Sequence, residues 1–128
     1  MAKSYSFERE TEDDLIVIPV KIGNSLAELV LDTGASHTFI DFGILVKEGY
    51  RLNDTNGIVA VETANGIIYA NKFLIGTING LGISKTNFEV TSYIFDNPES
   101  NFKGVIGLDF IGENEICINF KENKLTVK

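Results

Sequence analysis

The sequence predicts an all-β domain with one or two short helices, and three observations lead there. From Leu15 onward the apolar residues come in short bursts rich in Ile and Val, which suit a pleated, half-buried surface. The bursts are separated by Gly, Asn and Asp, and the pairs Gly23-Asn24 and Asn65-Gly66 tolerate the positive φ that tight hairpins need. Spacing of the helical kind is scarce.

Taken in order, Leu15 to Ile22 and Leu26 to Leu31 flank Gly23-Asn24 and read as a hairpin. Asp41 to Glu48 is the first helical candidate, with Asp41 placed to cap its start and Gly49 its end. Thr55 to Thr63 and Ile67 to Ile78 flank Ala64-Asn65-Gly66, which predicts a long two-stranded arm. Lys85 to Phe95 is β-prone and runs into a polar loop, Asp96 to Asn101, expected to be exposed. Val105 to Ile111 carries nearly continuous apolar residues around Gly107 and reads as a strand turning into a short helix. Glu115 to Phe120 and Leu125 to Lys128 then form a closing hairpin across Glu122-Asn123.

With 128 residues, 44% of them hydrophobic, the chain has room for one core. Eighteen acidic residues against eleven basic ones give a net charge of -7, whose field repels phosphate backbones and anionic lipid. The expected partners therefore include neither nucleic acid nor membrane. A single cysteine, Cys117, excludes an internal disulfide framework, and its phase opposite Ile116 and Ile118 marks it as a quiet small side chain. One histidine, His37, cannot build an all-histidine metal centre and reads as a solvated or locally bonded side chain. No apolar stretch of signal-peptide length follows the first lysine, and Leu15 to Val20 is too short to span a bilayer, so a cytoplasmic protein is expected. Residues 1–14, with the acidic run from Glu8 to Asp14, read as a flexible acidic leader to a domain at 15–128.

Chemistry concentrates in Leu29-Val30-Leu31-Asp32-Thr33-Gly34-Ala35. A carboxylate placed directly after a buried apolar run is costly unless it is used or tightly hydrogen-bonded. From Asp-x-Gly alone, a turn residue satisfying nearby backbone N–H groups explains Asp32 equally well.

Asp32-Thr33-Gly34-Ala35 after an aliphatic run, together with the later Val105-Ile106-Gly107 triplet and the intervening Asn-Gly hairpin, resembles the retropepsin-type aspartic proteases. The likeness extends over nearly all the chain after residue 15. It implies a single-lobed, retropepsin-like acid protease barrel and an aspartic-type endopeptidase that cuts extended polypeptides. Its catalytic residue would be Asp32, with Thr33, Gly34 and Ala35 supporting the active loop. Aspartic proteases need two carboxylates about 3 Å apart that share a proton, because two like charges that close cannot both ionise. One Asp-Thr-Gly and one short lobe imply a homodimer with Asp32 supplied twice. By position Ala64, Asn65 and Gly66 would form the tip of a flap over the peptide. Val105, Ile106 and Gly107, on the strand behind the site, would be counted with the flap among the substrate-binding residues. Water is the nucleophile, so neither metal nor organic cofactor is expected.

The chain also departs from that family. Ala35 lacks the hydroxyl that pepsin-like enzymes place beside the outer carboxylate oxygen, which predicts a less acidic optimum. Ser36 and His37 stand where many viral members carry acidic residues, and Leu108 replaces the arginine that pairs with those acids, so that brace should be absent. The alternative reading is a dimerising peptide-binding module of the same fold with little or no turnover.

Overall fold

The computed structural model describes residues 2–9, 11, 14–95 and 101–128. The first strand, β1 (Lys3–Ser6), is followed by the hairpin β2 (Val17–Ile22) and β3 (Ser25–Leu31). Short β4 (Phe39–Asp41) leads into α1 (Phe42–Lys47) and a 3-10 turn at Leu52–Asp54. The arm is β5 (Ile58–Thr63) and the long β6 (Gly66–Gly80), which returns as β7 (Ile83–Tyr93). Then come β8 (Gly104–Ile106), α2 (Leu108–Ile111), β9 (Ile116–Asn119) and β10 (Lys124–Val127).

Six strands close a ring. β2 pairs with β3, β3 with β8, β8 with β4, β4 with β7 and β7 with β6; Lys21↔Asn79 and Ile22↔Ile78 then join β6 back to β2. Two pairings, β3 with β8 and β4 with β7, are parallel and the rest antiparallel. β5 pairs with β6 alone and so stands out from the ring as an arm. Closure removes the unpaired edges that an open sheet of this length would expose.

Period-two alternation drives the closure. On β2, Ile18, Val20 and Ile22 point into the core while Pro19 and Lys21 face out. Leu29 and Leu31 of β3, Phe73, Ile75 and Ile78 of β6 and Phe110 of α2 fill the same interior. Each fully buried side chain of this size contributes about 1.5–3 kcal/mol. Gly23 takes φ +59 at the β2–β3 turn, as the sequence requires there. The predicted arm, closing hairpin and strand-to-helix turn at Gly107 are all present.

The expected flexible leader is corrected over its first half. β1 pairs with β10 from Lys3↔Val127 to Ser6↔Lys124, making a three-stranded sheet with β9. Phe7 is 5% exposed, and its N–H donates to the Asn123 carbonyl at 3.0 Å. The acidic composition that suggested a leader starts only at Glu8, after Tyr5 and Phe7 have joined the core, and their apolar burial outweighs it. The exposed loop expected at 96–101 lies outside the described residues apart from Asn101, which is exposed. No helix among the described residues is long and apolar enough to cross a membrane.

Asp41 caps α1 by accepting the Gly43 N–H at 3.0 Å. At the other end of this helix Glu48 reaches back to the β2–β3 turn, accepting from the Ser25 hydroxyl at 2.5 Å and the Asn24 N–H at 2.8 Å. The Ser25 hydroxyl first, and then the Asn24 N–H, hold the Glu48 carboxyl below the ordinary glutamate value. A lowered native pKa means that Glu48 adds stability above its unfolded pKa and loses it as pH falls through the native one. Ser25→Ala should therefore raise the Glu48 pKa toward the ordinary value and flatten the acid limb of stability. A carboxyl NMR titration reads this directly, and an unmoved Glu48 would contradict it.

Candidate active site

Burial changes sign at the end of β3. Leu29, Val30 and Leu31 are 0%, 5% and 8% exposed, and the next three residues, Asp32, Thr33 and Gly34, are all exposed. The backbone forces this turn outward. Asp32 N–H still donates to the Ile106 carbonyl at 3.0 Å, continuing the β3–β8 ladder. Gly34 N–H then donates to Asp32 Oδ1 at 2.8 Å, and Ala35 N–H donates to the Asp32 carbonyl at 3.1 Å. The carboxylate thus folds its own loop while remaining open to solvent.

Behind the loop sits a brace that sequence reasoning missed. Thr38 has no solvent exposure, and its hydroxyl donates to Asp109 Oδ1 at 2.7 Å while accepting the Gly107 N–H at 3.1 Å. Its N–H donates to Asp109 Oδ2 at 3.1 Å, and its carbonyl accepts the Thr91 N–H at 3.0 Å. Asp109 also takes the Phe110 N–H at 2.8 Å. The Leu108 N–H donates to the Ala35 carbonyl at 2.8 Å, a second tie from α2 to the loop. Gly107 is required by close approach: a Cβ there would fall 2.5 Å from the His37 carbonyl oxygen and 2.8 Å from that of Ala35.

A cleft of about 380 Å³ opens over the loop. Asp32, Gly34, Ala35, Ser36, His37 and Phe39 form one wall, and Ala60, Val61 and Glu62 of β5 form the other. Asp32, Gly34 and Ala35 are thus brought together at the cleft, with Thr33 exposed beside them. Val105, Ile106 and Gly107 lie behind the loop and do not line it; Ile106 is fully buried. Ala64, Asn65 and Gly66 are exposed at the arm's end, beyond the β5 residues that face Asp32. The arm was legible as a hairpin, but which of its residues face the loop follows from how it lies over the ring.

His37 is bonded locally, its Nδ1 lying 2.9 Å from the Ser36 hydroxyl. Among the described residues no group of three or more His, Cys, Asp or Glu side chains comes together as metal ligands would. Cys117 is a free, exposed thiol.

A six-stranded ring with one Asp-Thr-Gly loop braced from behind by a strand, a glycine and a short helix defines a single-lobed aspartic-protease fold. Residues 18–113 match the model of the "gag-polyprotein putative aspartyl protease" family, and the chain belongs to that family. Among solved structures, a retropepsin-like aspartic protease from Rickettsia conorii is similar over 99% of this chain and 91% of its own, with a TM-score of 0.74. The two are 18% identical, so the likeness is one of fold. No curated protein matches the chain in sequence.

The brace makes a testable claim. Thr38→Val removes the hydroxyl, strands the buried Gly107 N–H and leaves Asp109 Oδ1 with the Phe110 N–H alone, which should cost about 1–3 kcal/mol. Thr38→Ser keeps both hydrogen bonds and should cost clearly less. Urea unfolding of the two variants separates these outcomes, and a Thr38→Ser variant as destabilised as Thr38→Val would count against the hydroxyl's hydrogen bonds as the source of the effect.

Proposed function

We propose that the protein is an aspartic endopeptidase whose active site is completed by a second copy of the same chain. The observation that carries this is the position of Asp32: an exposed carboxylate in the wall of a cleft, on a loop fixed from behind and turned outward at its tip. Residues 1–128 carry one Asp-Thr-Gly loop, and the described residues form one lobe. A two-fold axis through the tip would bring two Asp32 carboxylates together, with the exposed Thr33 side chains beside them.

In that arrangement the pair holds one proton. The ionised carboxylate takes a proton from a bound water, and the hydroxide formed attacks the scissile carbonyl carbon. The protonated carboxyl donates to the carbonyl oxygen, giving a tetrahedral diol. The dyad then gives a proton to the leaving nitrogen while one diol hydroxyl returns its proton to the dyad, so that as the C–N bond breaks the carboxylic acid and amine are released and the dyad again holds a single proton. Ala35 provides no hydroxyl to stabilise the ionised form further, which supports a less acidic optimum than an enzyme with serine or threonine there. The peptide would lie extended between loop and arm, adding main-chain hydrogen bonds as a strand does. The arm acts as a flap that excludes water.

The competing reading, a dimeric peptide binder without turnover, is separated by one comparison. Wild type and Asp32→Asn are incubated with a randomised peptide pool at several pH values, while sedimentation establishes that both form dimers. Cleavage by wild type alone is expected, and an uncut pool under conditions where wild type is dimeric would leave only the binder.

Association supplies an independent check. Specific activity should rise with protein concentration until dimers predominate, and Thr33→Val should move that rise to higher concentration. An activity strictly proportional to concentration down to the lowest measurable level, with a monomer in sedimentation, would rule out the shared site.

A further inference from the structure

We propose that Glu62 selects peptides carrying a lysine or arginine side chain near the scissile bond; this rests on the cleft being the peptide site described above. Glu62 lies on β5, paired with Ile67 of β6, and lines the cleft facing the Asp32 loop. It is exposed, and among the described residues no hydrogen bond or ion pair engages its carboxylate.

The surroundings contain carboxylates without cations. No Lys or Arg occurs from residue 22 to 46, which includes the loop, or from 52 to 71, which includes β5 and most of the arm. The next cation along the arm, Lys72, is engaged by Glu89 at 3.5 Å. A positive side chain entering the cleft therefore meets no like charge from these segments apart from a protonated His37. The net charge of -7 adds a long-range attraction of the same sign.

Lysine and arginine also match the apolar content of the wall. Their methylene stems can lie along Ala60 and Val61 while the charged head reaches Glu62. Asp32 is not free for this purpose, because in the proposed reaction its oxygens hold water, proton and substrate carbonyl. In a two-fold dimer each half carries one Glu62, so the preference should fall at two positions related across the cut bond.

The test uses peptides identical except at one scanned position, which carries lysine, norleucine or glutamate. Cleavage is followed with wild type, Glu62→Gln and Glu62→Lys, and binding of the same peptides with Asp32→Asn alone and combined with Glu62→Gln. At the responsive position the lysine peptide should exceed its norleucine counterpart by about two- to fivefold in kcat/KM, the upper part of the range of an exposed ion pair. Glu62→Gln should erase the preference and Glu62→Lys should shift it to the glutamate peptide. Equal treatment of lysine and norleucine at every position, or a preference that survives Glu62→Gln, overturns the proposal even if wild type cuts efficiently. A Glu62-dependent lysine preference in binding, with no cleavage by any form, would support it and overturn the endopeptidase reading instead.

Discussion

The Thr38 hydroxyl is sealed from solvent, so both its donor and its acceptor capacity have to be met within the protein. Asp109 and the Gly107 N–H meet them. Residues 71 positions apart are thereby locked together, and with them the loop that carries Asp32 and the helix that follows β8. The same contact explains the bare glycine. Gly107 lets its N–H reach Thr38 while the backbone of Ala35 and His37 passes where a side chain would begin. A rigid support of this kind is what a site needs when its acid is exposed, because solvent-facing loops drift unless their anchors are buried.

The ring and the site make different demands on a partner. Pairing of β6 with β2 closes the barrel within one chain, and Phe73, Phe110, Ile78 and Leu125 fill it without help from another molecule. The carboxylate pair proposed for catalysis cannot be closed that way. On the proposed reading, folding and activity should respond to dilution differently, since only the second would depend on a symmetry mate. The exposure of Asp32 and Thr33 fits this division, for both stand at the outer edge of a loop whose other polar contacts are already made internally.

What could be read from the sequence was what short-range chemistry controls. Gly23-Asn24 and Asn65-Gly66 announced their hairpins, Asp41 announced a helix start, and Gly107 marked the change from strand to helix. The Asp-Thr-Gly loop was legible because an acid after Leu29-Val30-Leu31 conflicts with burial unless the chain turns outward there. Contacts that depend on distant partners were hidden. Thr38 and Asp109 look like ordinary surface residues until the antiparallel β4–β8 pairing, with Phe39 opposite Val105, brings their segments together. Three-residue β4 is too short to carry a period, and β1 was masked by the acidic residues after it, although Tyr5 and Phe7 were the signal. Glu62 was passed over for a similar reason: its place in the cleft depends on how the arm lies over the ring.

The arm's attachment explains why mid-arm residues, and not its end, face the acid. Its ties to the barrel gather at the base, where the Asn56 side chain donates to Glu89 at 2.9 Å and Lys72 pairs with the same carboxylate. The Thr55 hydroxyl adds a link to the Gly57 carbonyl at 2.9 Å and lies 3.1 Å from that of Lys72. Ala60, Val61 and Glu62 lie nearer those ties than Ala64 to Gly66 do, and these inner residues are the ones that line the cleft with the Asp32 loop. On the proposed reading, charge at Glu62 would act on capture of the peptide, and the proposed pair of Asp32 carboxylates on the bond of the peptide so held.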